Sequence, residues 1–470
     1  MASHNTYGLG SHSERSTKRQ DENPTHLYIC KGSITHVKSK ILCVGFSFHR
    51  QQRALGSVQR ASGSRRPPTE HPPSPTESTL PKHAHSPAFL TFARRTHAFA
   101  STQQPVHLAN MPMTKTLSQQ IAHHAQQLLR QLIATPSVSR DEGAAADLIE
   151  HTLRQAGALP QRHLHNVWCC QPDTGDGRPV LLLNAHIDTV RPTDAWTLPP
   201  FTPTERDGRL YGLGSNDCGG GLTVLLYTFL ALRENASLPY RLVFLASAEE
   251  EVSGANGISS VIDHLPRPDV ALVGEPTGMQ PAIAEKGLMV LDCEAVGRAG
   301  HAARNEGVNA LYKAIDDIAL LRQHTFGKVS PLLGPVKATV TMMEAGTQHN
   351  VVPASCRFVV DVRSNECYNN AELLAEISGL LQSHVKARST RLNSSRIHPD
   401  HPLVQRAIAL GRVPYGSPTL SDQALMPWPS FKMGPGDSAR SHTADEYITL
   451  AELHEAAALY LAMLCPDYGH

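Results

Sequence analysis

With 470 residues, 40% of them hydrophobic, the chain can bury a large core and should divide into two or more domains. Its 43 basic and 42 acidic side chains nearly cancel, for a formal charge of +1, which excludes the basic footprint of a nucleic-acid binder or of a protein held on an anionic membrane. No apolar run reaches the roughly eighteen residues of a membrane span. The longest, 222–232, suits a buried helix. Nine cysteines, an odd number with no CxxC pair, read as reduced thiols of a cytoplasmic protein, with Cys169 and Cys170 as strand residues.

Residues 1–110 differ from the rest. They are rich in Ser, Pro, Arg and His, with tracts such as Arg65–Arg66–Pro67–Pro68 and Pro72–Pro73–Ser74–Pro75, and show no sustained period. That is a disordered composition, read here as an extension upstream of a folded protein that starts at Met111 or Met113. Thr116-x-x-Gln119 has capping-box spacing, and Leu117, Ile121, Ala125, Leu128, Leu129 and Leu132 follow at helical spacing. A second helix is predicted over 141–156, stopped by Gly157. Strands at 165–170, 180–185, 241–246 and 269–273 then alternate with a helix over 220–233, the signature of an α/β fold with a mostly parallel sheet. Past 284 the order becomes strand 288–296, helix 308–322, strands 337–343 and 356–362, helix 371–384 and strand 386–392. This βαββαβ order predicts a ferredoxin-like domain over 285–394, inserted into a larger domain made of 111–284 and 395–470. An amphipathic helix over 449–464 closes the larger domain.

Chemistry gathers where the apolar runs end. The run 180–183 suits a strand buried on both faces, and it turns polar at its C-terminal end, where open α/β sheets place ligands, with His186 and Asp188. Two residues apart on an extended chain, these side chains share a face, so the carboxylate can take the spare N–H of a metal-bound imidazole. Asp217 lies within Gly212–Leu213–Gly214–Ser215–Asn216–Asp217–Cys218–Gly219–Gly220–Gly221, ahead of an apolar helix. Such an aspartate is ordinarily an N-cap, yet three successive glycines start a helix poorly and imply close backbone approach. Glu249, Glu250 and Glu251 follow the strand 242–246, where they would repel one another unless a cation neutralised them. Glu275 ends another buried strand. Each alone is unremarkable; together they point to a shared cation site.

From Met113 to the C-terminus these motifs resemble the zinc-dependent M20 peptidase/deacylase family, most of all its acetylornithine deacetylase branch. The blocks that carry the resemblance are His186–Ile187–Asp188, Tyr211–Gly212–Leu213–Gly214–Ser215–Asn216–Asp217, Ala248–Glu249–Glu250–Glu251, Gly274–Glu275–Pro276–Thr277, and Gly434–Pro435–Gly436–Asp437 leading to Ser441–His442–Thr443–Ala444–Asp445–Glu446–Tyr447. The resemblance implies two Zn²⁺, or Co²⁺. One would be held by His186, Asp217 and Glu275 and the other by Asp217, Glu251 and His442, with Asp217 bridging and Asp188 orienting His186. It implies Glu250 as the general base, which takes a proton from the attacking water and returns it to the leaving amine.

The resemblance also makes the inserted domain a lid and dimerisation domain. His301, in Gly300–His301, would reach across a homodimer into the partner's site to help stabilise the oxyanion, and Asn350 and Arg363 would bind the substrate's α-carboxylate. Read from the residues alone, His301 is equally a surface histidine and Arg363 equally a surface ion pair. Cys218–Gly219–Gly220 departs from the Met-Lys-Gly of many relatives, and Glu249 from their common aspartate; neither is a ligand position. Ser417–Pro418–Thr419–Leu420–Ser421–Asp422 falls where relatives shape the substrate pocket.

The implied activity is a dinuclear zinc hydrolase acting on a small N-acyl amino acid: removal of an acetyl group from an ornithine-like compound in arginine biosynthesis. Alternatives within the class are desuccinylation of succinyl-diaminopimelate or succinyl-ornithine, deacetylation of acetylcitrulline, and dipeptidase or carboxypeptidase action. The alternative of another class is a non-catalytic relative that binds metal or an amino-acid derivative, and a free Glu250 beside the ligands argues against it.

Overall fold

The computed structural model describes residues 115–466 and 468, so the reading of residues 1–110 lies outside the described residues. A nine-stranded mixed sheet forms the centre of the larger domain. Its middle strands, in the spatial order Arg241–Ser247, Val180–His186, Val270–Val273 and Ser430–Lys432, all run parallel. Antiparallel strands flank them, Asn166–Cys170 on one side and Ala282–Glu285 on the other.

The unbroken apolar runs follow from burial on both faces. Leu181, Leu183 and Phe244 point into one core with the helices Lys115–Ile133, Gly220–Leu232 and Leu450–Leu464. Their neighbours Leu182, Val243 and Leu245 point into a second core with Trp168, Ile258 and Val261. Every residue of Gly220–Leu232 is buried, so that helix has no polar face to show.

Two helix starts are corrected or sharpened. The first helix already includes Lys115, which places Thr116 inside its first turn and not at its cap. The last helix has a capping box that the sequence reading did not single out: the Thr449 hydroxyl accepts the Glu452 N–H, and the Glu452 carboxylate accepts the Thr449 N–H at 2.8 Å.

Between the sheet strands Ala282–Glu285 and Ser395–Arg396 the chain builds a separate four-stranded antiparallel sheet. Its order is His384–Ala387, Met289–Val296, Ser355–Arg363, Lys337–Ala345, the βαββαβ arrangement, with helices Ala310–Gln323 and Asn370–Leu380 packed on one face. Strand Met289–Val296 shows the expected alternation, with Met289, Leu291, Cys293 and Ala295 buried. The second helix stops at Leu380, short of the predicted 384, and the last strand ends at Ala387. The cause is tertiary: buried Asp317 accepts the N–H groups of Gln382 and Ser383 and the Ser383 hydroxyl, and so draws the chain out of the helix. No helix among the described residues is long and apolar enough to cross a membrane. The seven cysteines among them are all free thiols.

Candidate metal centre

Because the middle strands are parallel, their C-terminal ends share one edge, and the loops that leave them meet there. His186 ends its own strand; Glu250 and Glu251 follow Ser247; Glu275 follows Val273; His442 lies beyond Lys432. Asp217 joins them from the irregular turn Ser215–Gly219, whose Asp217–Cys218 peptide bond is cis. The glycines beside it serve close approach. A Cβ on Gly221 would overlap the carbonyl oxygen of Gly274, so only glycine lets the start of the helix press against the Glu275 loop.

The imidazoles and carboxylates form two adjoining sets. His186 Nε2 lies 3.3 Å from Asp217 Oδ1 and 3.6 Å from Glu275 Oε1. His442 Nε2 lies 2.8 Å from Glu251 Oε2 and 3.6 Å from Asp217 Oδ2. Each oxygen of Asp217 therefore faces a different ring. Glu250 Oε2 stands 3.9 Å from His186 Nε2. Glu249, which has a left-handed φ of 53°, turns the other way and bonds Asn256. Three neighbouring glutamates thus face different partners.

Two features show that this donor set fits a divalent cation. First, Glu275 Oε1 is buried and accepts no hydrogen bond, a costly state for a carboxylate oxygen unless a cation meets it. Second, burial and neighbouring acids raise two of the carboxyls, while Asp217, against its own burial, is held below the usual range by the imidazoles. Burial, and then the charge of Asp217, pushes Glu275 up to about 8. Burial and the charges of Glu275, Asp422 and Glu251 push Glu250 well above the usual carboxylate range, against the pull of His186. The hydrogen bond that His442 donates to Glu251 lifts its imidazole to about 9. Carboxylate oxygens with one imidazole per set are a donor set for zinc.

A cation entering the centre must displace protons from Glu275 and His442, so its uptake should release protons, and its affinity should rise as pH climbs towards about 8 to 9. Calorimetric titration of zinc near neutral pH in buffers of different ionisation heat measures that release. Heats independent of the buffer would contradict it.

Cys218, not among the residues read as ligands, also lies close: a ligand atom from each of His186, Cys218 and Glu275 falls within 4.8 Å of the others. Its sulfur is engaged by the His186 backbone, accepting that N–H at 3.2 Å, and burial pushes the thiol up, which keeps it protonated and a poor ligand.

The parts that hold the ligands are mostly backbone contacts. His186 Nδ1 lies 2.9 Å from the carbonyl oxygen of Asp188 and 3.5 Å from its Oδ1. The Asp188 carboxylate accepts the Ser139 hydroxyl at 2.7 Å and the N–H groups of Glu250 and Glu251 at 3.0 and 3.2 Å. Glu142, fully buried, accepts the Glu249 N–H at 3.3 Å. Asp422, raised to about 6 chiefly by burial, accepts the Ser247 hydroxyl at 2.6 Å. Sequence reading names neither Ser139 nor Glu142, and Asp422 only as part of a loop.

The residues expected from the inserted domain lie apart from this cluster. His301 and Asn350 are exposed neighbours: Gly300–His301 pairs with Val351–Val352, and the Ala302 N–H donates to the Asn350 carbonyl. Arg363 spends its fork on Asp361, at 2.8 and 3.1 Å, the ion pair that the sequence left open. Among the described residues, none of the three makes a hydrogen bond or ion pair to the imidazole–carboxylate cluster.

Known proteins share both the sequence and the architecture. The sequence profile of Peptidase family M20/M25/M40 matches residues 182–465, which include every member of the cluster. The chain is similar to the acetylornithine deacetylase of Pectobacterium carotovorum, 32% identical over 358 residues that cover 68% of this chain and 92% of that protein. It is likewise similar to the acetylornithine deacetylase of Klebsiella pneumoniae, 32% identical over 369 residues, covering 68% and 92%. In structure it is similar to aminopeptidase PepT from Bacillus cereus, with a TM-score of 0.61 at 18% identity over 73% of this chain and 98% of that one. It is also similar to the YXEP protein of Bacillus subtilis, a dinuclear metal-binding peptidase, with a TM-score of 0.57 at 17% identity over 74% and 98%. The chain belongs to Peptidase family M20/M25/M40 and is a metal-dependent hydrolase.

Proposed function

We propose that the protein removes an acetyl group from the α-amino nitrogen of an ornithine-like amino acid, as a step of arginine biosynthesis in the cytoplasm. The observation that carries this reading is a spare carboxylate, Glu250, standing beside two donor sets that share Asp217. The names of the sequence relatives supply the substrate class. His186, Asp217 and Glu275 would hold one Zn²⁺ (or Co²⁺), and Asp217, Glu251 and His442 the other. Bound there, the pair supplies positive charge that polarises an amide carbonyl and acidifies water. Glu250, desolvated and held well above the usual carboxylate range, accepts the proton of the attacking water and hands it to the departing amine. Asp188 keeps Glu250 aimed by holding its backbone N–H.

A substrate panel tests the assignment. The highest kcat/KM should fall on N-acetylornithine, ahead of N-acetylcitrulline, N-succinylornithine, N-succinyl-diaminopimelate and dipeptides. Preference for the diaminopimelate compound defeats the ornithine reading, and zinc binding with no turnover of any of them favours a binding protein.

The active unit in this proposal is a homodimer. Helix Ala310–Gln323 exposes Tyr312 and Ile315 one turn apart, and Lys337–Ala345, an edge strand of the small sheet, exposes Met342 and Met343. An open strand edge with apolar side chains invites a second copy. His301 would then act in the partner's site, and Asn350 and Arg363 would take the substrate carboxylate, Arg363 exchanging Asp361 for it. Sedimentation should give a dimer; a fully active monomer would refute the shared site.

A further inference from the structure

Asp217 and its neighbours make an irregular turn with non-helical dihedrals, φ −118° and ψ 98° at Asp217 itself, so the N–H groups there need acceptors from outside the turn. The acceptor comes from 229 residues away in the chain. Resting on the metal-centre reading above, we propose that Glu446 is a positioning residue for that centre: its buried carboxylate gathers the backbone of the Asp217 turn and so sets where the two oxygens of Asp217 stand between the imidazoles.

Glu446 is 2% exposed. Its Oε2 accepts the Gly214 N–H at 3.0 Å, and its Oε1 accepts the N–H groups of Asn216 and Asp217 at 2.7 and 2.9 Å. The main-chain carbonyl of Glu446 takes a further N–H, from Gly212 at 3.0 Å. Only a carboxylate offers enough lone pairs on two outward oxygens to satisfy three such donors at once. The Asn216 side chain makes a second tie in the same direction. Its Nδ2 donates to the Asp437 carbonyl at 3.1 Å, and its Oδ1 accepts the Asp437 N–H at 3.0 Å.

The same segment carries His442. Left-handed backbone at His442 (φ 60°) and Asp445 (φ 54°) lets the chain reverse within a few residues, so that His442 meets Glu251 while Glu446 meets the Asp217 turn. Such conformations are unfavourable for residues other than glycine and persist where their surroundings over-determine them. Asp445 contributes by accepting the N–H groups of Thr197 and Leu198, each at 2.9 Å. Glu446 therefore fastens to each other the two elements that face one donor set, without touching a ligand atom itself.

The side chain can be altered while its volume is kept. Glu446→Gln leaves the length unchanged but turns one acceptor into an NH2 group facing an N–H. Glu446→Asp keeps both oxygens on a shorter stem. Full-length wild type and both variants, stripped of metal, are titrated with zinc against a chromophoric chelator, and the melting of each metal-free protein is recorded. Glu446→Gln should weaken zinc binding by about 10- to 100-fold, the effect typical of losing a group that orients a ligand, and Glu446→Asp by less. A purely structural role would lower the melting temperature yet leave the zinc affinity of the folded protein at the wild-type value, and that result overturns the proposal. If Glu446→Gln does not fold, wild-type affinity in Glu446→Asp overturns it equally. Failure of the wild type to bind zinc refutes instead the metal-centre reading on which the proposal rests.

Discussion

Glu250→Ala protein should keep two zinc ions per protomer and lose about a thousandfold in kcat, the middle of the range for removing a positioned general base. The reasoning is geometric. Glu250 is fastened by its backbone N–H to Asp188, 3.0 Å away, and that bond survives truncation of the side chain, so the adjoining Glu251 keeps its place beside His442. In the proposed centre every other acid of the cluster is committed to a ligand set. Glu250, 3.9 Å from His186 Nε2, remains free to carry a proton. Zinc per protomer by atomic absorption, alongside turnover of N-acetylornithine, separates the outcomes. Near-normal turnover removes Glu250 as the base, and loss of zinc makes it a ligand.

What is legible in such a sequence, and what is not, depends on which partner of a contact carries a side chain. The strands beneath the centre are legible because burial on both faces leaves an unbroken apolar run, as at 180–183 and 242–246, and the polar residue that breaks the run marks the sheet edge. The glycines at 219–221 are legible as close approach: Gly219 faces the Gly214 carbonyl, Gly220 the Ile448 side chain and Gly221 the Gly274 carbonyl. The supports of the centre are silent. Glu142 and Glu446 work by accepting backbone N–H groups from distant loops, groups that every residue but proline possesses, and Ser139 works by donating its hydroxyl to Asp188. A backbone donor leaves no mark in the sequence, the acceptor looks like any acid, and Ser139 looks like any serine. The end of helix Asn370–Leu380 is hidden for the same reason, since Asp317 captures it through main-chain donors some sixty-five residues on. Arg363 shows the converse: its partner Asp361 lies two residues back on one strand, so that pairing is local enough to be foreseen.

Glu275→Gln should have effects of opposite sign in the metal-free and zinc-loaded protein. Burial and Asp217 hold the Glu275 carboxyl at about 8, against 4.5 for the free side chain. As pH rises above about 4.5, the unfolded chain releases this proton while the folded, metal-free chain retains it until about 8. The folded protein therefore binds more protons across that window, and its stability falls as pH rises through it. Glutamine carries no such proton, so metal-free Glu275→Gln should match the wild type near the acid end and exceed it by a few kcal/mol at most near pH 8. With zinc the order reverses. The substitution takes an anionic oxygen from the His186 set, and affinity should fall by more than the roughly 100-fold that follows loss of a group merely supporting a ligand. Zinc then stabilises the wild type by mass action and the variant hardly at all. Denaturant unfolding near pH 5 and pH 8, with and without zinc, reads all four states. A carboxylate with a purely structural role would lose stability under every one of these conditions, and an acid on an ordinary solvated loop would change nothing. Only a buried oxygen kept for a cation gives the crossing.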